Sequence, residues 1–219
     1  MYKILKFPWE QRTKHFWASD WHNFHDPKTW TSPIWEMRGY SNAEEALEQT
    51  LRTTNEKVGV DDTLWYLGDG FLNATDDQCI NWLSRVNCQN IYYLFGNHES
   101  NMYRIYKEQV AEQYGIGDAE IYPLKYKNVT FLGNHQEIQI GKQMITMNHF
   151  PLRIWHKDNR SAWMLSGHSH LQDKGRRPDA PFQKGLDCGC DYKVVWSFLE
   201  IEDVMSTKSI QILDHNRTS

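Results

Sequence analysis

The chain has no long hydrophobic run, no basic block and only four cysteines, and each shortage narrows what it can be. No apolar stretch approaches the roughly 20 residues that cross a bilayer, so a membrane partner is not expected. The opening segment, MYKILKFPWE, is too short in its apolar part and too broken by charge for a secretory signal, which makes a cytoplasmic location the default expectation. With 24 Lys and Arg against 28 Asp and Glu, the net charge is -4, and charge alone does not favour nucleic acid. A deep site could still reverse its own field by binding cations. The cysteines, Cys79, Cys88, Cys188 and Cys190, have neither zinc-ribbon spacing nor the density of a disulfide framework. Cys188-Gly189-Cys190 lacks a second pair to complete a zinc site, so these thiols read as small buried hydrophobes. Internal repeats and low-complexity blocks are also missing.

What the chain does have is aromatic mass. Ten Trp, eleven Tyr and nine Phe in 219 residues can offset ordering entropy by burial, and the length suits one domain spanning residues 1–219. The pattern along it repeats a strand, a polar tip and a helix. Residues 15–19 read as a short strand delivering Asp20-Trp21-His22-Asn23-Phe24-His25-Asp26-Pro27, with the proline favouring a loop. Ser41 or Asn42 can cap an amphipathic helix reaching Val58, whose Glu44, Glu45 and Glu48 suit its solvated first turns. Strand 63–67 ends at Gly68-Asp69-Gly70, a helix follows over 76–86, and strand 91–95 ends at Gly96-Asn97-His98-Glu99. A third helix is predicted over 102–114, terminated by Gly115 and Gly117. Short strands follow at 129–132, 137–140, 144–148 and 163–166, with closing strands at 194–201 and 209–213. Such alternation argues for an α/β architecture, in which ligand groups gather where strands end.

The tips carry chemistry. Asp20 and His22, Asp69, Asn97 and His98, His149, and finally His168 and His170 each follow an apolar strand. A single loop histidine is more often a satisfied polar residue than a ligand. Repeated placement after strands is harder to assign to chance, because it brings these groups to one edge. Carboxylates and imidazoles together suit Mn, Fe or Zn, and an aspartate between two centres can bridge them. Asp20-Trp21-His22 and His168-Ser169-His170 have the alternation of extended segments, so each pair is expected to emerge on one side. Glycine before Asp69, Asn97 and His168 permits close backbone approach.

Taken in order, Asp20-Trp21-His22, Gly68-Asp69, Gly96-Asn97-His98-Glu99, Asn148-His149 and Gly167-His168-Ser169-His170 resemble the blocks of the calcineurin-like metallophosphoesterase family. The resemblance covers about residues 15–205, and His25 and Arg177-Pro178-Asp179-Ala180 make it similar to a small bacterial or bacteriophage branch; if phage-encoded, the location would be the host cytoplasm. It implies a four-layer α-β-β-α sandwich with two mixed sheets. It also implies that Asp20, His22, Asp69 and His170 hold one divalent metal and Asp69, Asn97, His149 and His168 the other, with Asp69 bridging. Mn is the expected ion, with Fe, Ni or Zn as alternatives. Two cations about 3.5 to 4 Å apart can activate a hydroxide for in-line attack on phosphorus. Asn97 offers an amide oxygen without adding charge. His98 is expected to face the substrate, stabilising developing charge or protonating the leaving oxygen; its other reading is a loop histidine bound to Glu99 or backbone. Some relatives orient the matching histidine with an aspartate three positions beyond the bridging one, where this chain has Leu72.

Further substrate contacts are open. His25 faces the substrate or serves its loop. Arg38, Arg176 and Arg177 either clamp phosphate through a planar fork or are solvated surface charges. Trp21 stands where relatives have small polar residues and is expected to narrow the mouth or stack on a substrate ring. Cys188-Gly189-Cys190-Asp191 lies where relatives have an apolar-Gly-apolar-Asp strand. The expected function is hydrolysis of a phosphomonoester or phosphodiester, slightly favouring a small nucleotide-like diester. A DNA or RNA nuclease and a non-enzymatic interaction scaffold are the alternatives; the latter would be favoured by missing ligands, and none is missing. Oligomeric state is not legible.

Overall fold

The computed structural model describes residues 3–25, 33–117, 119–170 and 184–209. Its strands are β1 (Leu5–Phe7), β2 (His15–Ala18), β3 (Thr63–Tyr66), β4 (Asn90–Tyr93), β5 (Leu124–Tyr126), β6 (Val129–Phe131), β7 (His135–Ile140), β8 (Gln143–Asn148), β9 (Trp163–Ser166), β10 (Gly185–Asp187) and β11 (Trp196–Ser197). The α-helices are α1 (Ile34–Met37), α2 (Ala43–Lys57), α3 (Asp76–Ser84), α4 (Ser100–Tyr114) and α5 (Phe198–Ser206). Among the described residues the strands form two sheets, ordered β11-β2-β3-β4-β6-β5 and β1-β7-β8-β9-β10. Both are mixed. In the first, β2, β3, β4 and β6 run parallel with antiparallel β11 and β5 at its edges; in the second, only β7 and β8 pair antiparallel.

Alternation along the central strands decides what each face buries. Leu64 and Tyr66 of β3, with Ile91 and Tyr93 of β4, point to a cluster that takes in Leu51 of α2, Trp82 and Leu83 of α3, and Met102, Ile105 and Tyr106 of α4. Trp65 and Trp17 point the other way, into a cluster shared with Ile138, Ile145, Met147 and Leu165 of the second sheet and closed by Phe198, Ile201 and Met205 of α5. Sheet therefore packs on sheet, and helices flank the pair. A third cluster of Met144, Trp155, Ala162 and Met164 joins the second sheet to the segment after β8.

The helices start and stop as their capping residues dictate. Asn42 Oδ1 accepts the Glu45 N–H at 2.8 Å, Thr75 and Gln78 form a capping box, and Gly115 ends α4 with a left-handed φ of 70°. Two expectations are corrected. The strand predicted over 194–201 is confined to Trp196–Ser197, because Ser197 opens a helix: its N–H donates to Glu200 Oε2 at 2.7 Å and its Oγ accepts the Glu200 N–H at 3.3 Å. That Ser-x-x-Glu signature outweighed the apolar run. The strand predicted over 209–213 lies outside the described residues apart from Ser209, which is coil. Strands β1, β5 and β10 were not anticipated; each is three residues long and sits at a sheet edge, where burial pattern is weakest.

Candidate metal centre

Five strands end at one place. β2, β3 and β4 from one sheet deliver Asp20, Asp69 and Asn97, while β8 and β9 from the other deliver His149 and His168. Backbone hydrogen bonds hold the tips together: Asp20 N–H donates to the Gly68 carbonyl at 3.0 Å, His22 N–H to the Asp69 carbonyl at 3.1 Å, and Gly167 N–H to the His149 carbonyl at 3.0 Å. Close approach explains the glycines. A Cβ on Gly96 would lie 2.2 Å from Asp69 Oδ1, and one on Gly167 2.3 Å from Asp20 Oδ2.

The extended geometry predicted for the two Asp/His and His/His pairs is not what forms. Asp20, His22, Asp69, His168 and His170 all have left-handed backbones, with φ of 57°, 48°, 58°, 69° and 43°. Each such residue costs of order 1–3 kcal/mol, and their concentration at one edge marks strain held for a purpose. The turns also split a pair. His170 joins Asp20 and His22 in one group of donors, whereas His168 joins Asp69 and His149 in a second.

In the first group His22 Nε2 and His170 Nε2 are 3.1 Å apart, and each is 3.7 Å from Asp20 Oδ1. In the second, His149 Nε2 is 3.2 Å from Asp69 Oδ2, and Asn97 Oδ1 lies 2.9 Å from both His149 Nε2 and His168 Nδ1. Metal bonds of about 2.0–2.2 Å place neighbouring ligand atoms about 2.8–3.6 Å apart in octahedral or tetrahedral geometry, and the separations in both groups lie in or within about 0.1 Å of that range. The tautomers fit as well. His170 Nδ1 donates to Asp191 Oδ2 at 2.7 Å and His149 Nδ1 to the Leu67 carbonyl at 2.9 Å, which leaves each Nε2 as the ring nitrogen that faces the other donors and ligates once its proton is displaced.

Burial sets the protonation. His22 is pushed down to about 3, first by burial and then by the neighbouring His170, keeping it a neutral donor. Burial raises Asp69, but the hydrogen bond and charge of His149 and the His98 N–H outweigh it and hold the carboxyl at about 2. Burial raises Asp20 against the pull of His149 and His170. Taking such groups out of water is costly unless cations compensate them.

The substrate-side expectations fare unevenly. His98 donates its backbone N–H to Asp69 Oδ1 at 2.8 Å, and its ring lines a cavity of about 590 Å³ with His22, Asp69, Asn97, His168 and His170. Among the described residues no hydrogen bond orients that ring, and Leu72 lines the same cavity. Arg38 also lines this cavity, and its donors are engaged there: Nε donates to Asp191 Oδ1 at 3.1 Å while Nη1 and Nη2 donate to the Trp21 and Asp20 carbonyls at 2.8 Å. Trp21 does not reach the mouth. It is 3 % exposed, and its indole packs 4.4 Å from Tyr66 and 4.8 Å from Trp82 between ring centres, because the left-handed turns at Asp20 and His22 aim it into the core. His25 serves its loop: it is buried, and its Nδ1 accepts the Ile34 N–H at 3.0 Å at the start of α1. Arg176 and Arg177 lie outside the described residues.

Asp191 and Phe150 enter without a role in the sequence reading, and Glu99, read there as a partner for His98, takes another. Asp191 ties His170 to Arg38; its place in the apolar-Gly-apolar-Asp run was the available signal. Buried Glu99 accepts the Gly70 N–H at 3.1 Å and the Tyr93 hydroxyl at 2.9 Å, bracing the loop after Asp69, and burial pushes it up to about 8. Phe150 packs its half-exposed ring 4.6 Å from His168 and 5.1 Å from His149. All four cysteines are free and buried, as read from the sequence.

The family model described as calcineurin-like phosphoesterase matches residues 16–172, which contain every one of these candidate ligands. The chain belongs to the calcineurin-like phosphoesterase family. The calcineurin-like architecture of two mixed sheets flanked by helices is the one described above. Among solved structures, this calcineurin-like chain is similar to a protein of unknown function from Aquifex aeolicus, with a TM-score of 0.57 and 16 % identity over 87 % of this chain and 98 % of that one. That likeness concerns the fold. A comparison with curated proteins gave no match. Among the described residues no helix is long and apolar enough to cross a membrane.

Proposed function

We propose that this protein is a dinuclear metal-dependent phosphoesterase hydrolysing a phosphomonoester or phosphodiester. The observation that carries the reading is the pair of adjacent donor groups, Asp20/His22/His170 and Asp69/His149/His168, with Asn97 Oδ1 2.9 Å from two imidazole nitrogens of the second. Asp20, His22 and His170 would hold one divalent ion; Asn97, His149 and His168 the other; Asp69 would serve both. Mn is the expected ion, with Fe, Ni or Zn as alternatives by donor chemistry. Two such ions, when bound, would lower the pKa of water and neutralise phosphoryl oxygens.

The chain's own residues supply the rest. Asp191 and the Leu67 carbonyl fix the tautomers of His170 and His149. Arg38 holds Asp191 and the Asp20-Trp21 backbone in one arrangement. His98 lines the cavity and would donate a proton toward a departing oxygen. His25 and the late Arg177-Pro178-Asp179-Ala180 segment support a small bacterial or bacteriophage branch. A net charge of -4 gives little support to a nuclease.

Metal-loaded protein assayed against p-nitrophenyl phosphate and bis-p-nitrophenyl phosphate tests the reading. Hydrolysis of one or both is expected, and with phenyl phosphate, whose leaving oxygen needs the proton that p-nitrophenolate does not, His98→Ala should lower kcat about 10²- to 10⁴-fold while metal content is retained. Inactivity toward both esters would refute the function, and unchanged kcat in the variant would refute the role of His98.

A further inference from the structure

Resting on the phosphoesterase reading, we propose that the substrate is a phosphodiester whose retained arm is a neutral aromatic group seated in a second cavity beside the metal centre. The first cavity, about 590 Å³, contains the donor groups and His98, with Ile34, Met37, Tyr40 and Leu72 as its apolar wall. A second cavity of about 460 Å³ is lined by Phe95, Tyr103 and Tyr122 together with Ser100, Glu120 and Asn134. Asn97 lines both. A phosphoryl group placed at the ions that the donor groups would hold thus has space for an organic arm on each side of Asn97, and a monoester has only one arm to place.

Chemistry assigns the arms. His98 lines the first cavity and not the second, so the leaving oxygen belongs on the Ile34/Leu72 side. There the P–O bond to the leaving arm breaks, a P–OH bond forms from water, and the proton lost by water passes in net to the leaving oxygen. The retained arm keeps its P–O bond and lies against Tyr103, which is 38 % exposed and whose hydroxyl donates to Glu120 Oε1 at 3.4 Å. Tyr103 offers such an arm its partly exposed ring, backed by buried Phe95 and by Tyr122, which stacks on Tyr106, and Ser100, Glu120 and Asn134 offer polar edges. No lysine or arginine is among the described lining residues, and Lys107 is placed over the Tyr103 ring at 5.5 Å in a cation–π contact. With Glu120 at the wall, the arm is a ring without a further phosphate.

Three esters with the same leaving group isolate the arm: p-nitrophenyl phosphate, methyl p-nitrophenyl phosphate and phenyl p-nitrophenyl phosphate, assayed with metal-loaded protein. The phenyl diester is expected to exceed the methyl diester in kcat/KM by about ten-fold, mainly through KM, and both to exceed the monoester. Tyr103→Ala should bring the phenyl-to-methyl ratio close to one. Tyr103→Leu, which keeps apolar volume over Phe95, gives the same readout if the alanine protein does not fold. Equal rates for the two diesters, preference for the monoester, or a ratio unmoved by either substitution would overturn the inference while leaving the hydrolase reading intact. Cleavage of none of the three would instead refute the hydrolase reading, and this inference with it.

Discussion

At the scale of single residues, the two donor groups depend on backbone angles that few side chains adopt, with φ between 43° and 69° at Asp20, His22, Asp69, His168 and His170. Asp20, His22, Asp69, His149, His168 and His170 stand in the two donor groups because each follows a strand whose apolar pattern could be read. How each side chain points depends on a backbone angle, and although Asp and His tolerate left-handed φ better than most residues, their type alone does not say at which position it is adopted. Trp21 shows the consequence. Read as a mouth residue, it is a core residue held by Tyr66 and Trp82, with its Nε1 donating to the Val194 carbonyl at 3.2 Å. Trp21→Ala should therefore lower stability by roughly 3–5 kcal/mol in urea unfolding, as loss of a buried indole does. Unchanged stability with altered substrate preference would return the side chain to the mouth. Arg38 was hidden for a related reason: a buried guanidinium and a clamping one have the same sequence, and only the Asp191 and carbonyl partners separate them.

Elements were read well where they are long or central, and poorly at the edges. Helices α2, α3 and α4 followed from their caps and apolar spacing, and β3, β4 and β9 from short runs bounded by turns. The edge strands β1, β5 and β10 carry too few residues to show a period. In α5 the local signal was present and outweighed in the reading by an apolar run. Its capping box makes a direct prediction. Ser197→Ala should cost about 1 kcal/mol in equilibrium unfolding, since it removes an acceptor for the Glu200 N–H. A loss within error of zero would mean that α5 is held by Phe198, Ile201 and Met205 alone.

For the whole molecule, stability depends on pH through a group remote from the metal ligands. His15 is buried between the sheets, its Nδ1 accepts the Trp65 Nε1–H at 3.0 Å, and burial pushes it down to about 4 against the opposing pull of Asp62. The folded state thus takes up this proton later than the unfolded state, whose histidine titrates near 6.5. Its contribution is complete above the unfolded pKa and is lost as pH falls toward about 4. Between pH 7 and pH 5 the loss should be roughly 2 kcal/mol, read as the difference between wild type and His15→Gln in denaturant unfolding at both values. An equal pH response in the two proteins would contradict it.

The fold class was legible from alternation and the ordered tips, and the convergence of those tips at one edge follows from parallel strands ending together. What most directly tests the account is equilibrium titration of reduced, chelator-treated protein with Mn²⁺, followed by calorimetry and thermal unfolding. Two ions per chain are predicted, with Tm rising as metal is added; His170→Ala should retain one ion and Asp69→Ala should lose affinity at both positions. A wild-type stoichiometry below two, or a Tm indifferent to the metal, would contradict the dinuclear centre on which the function rests.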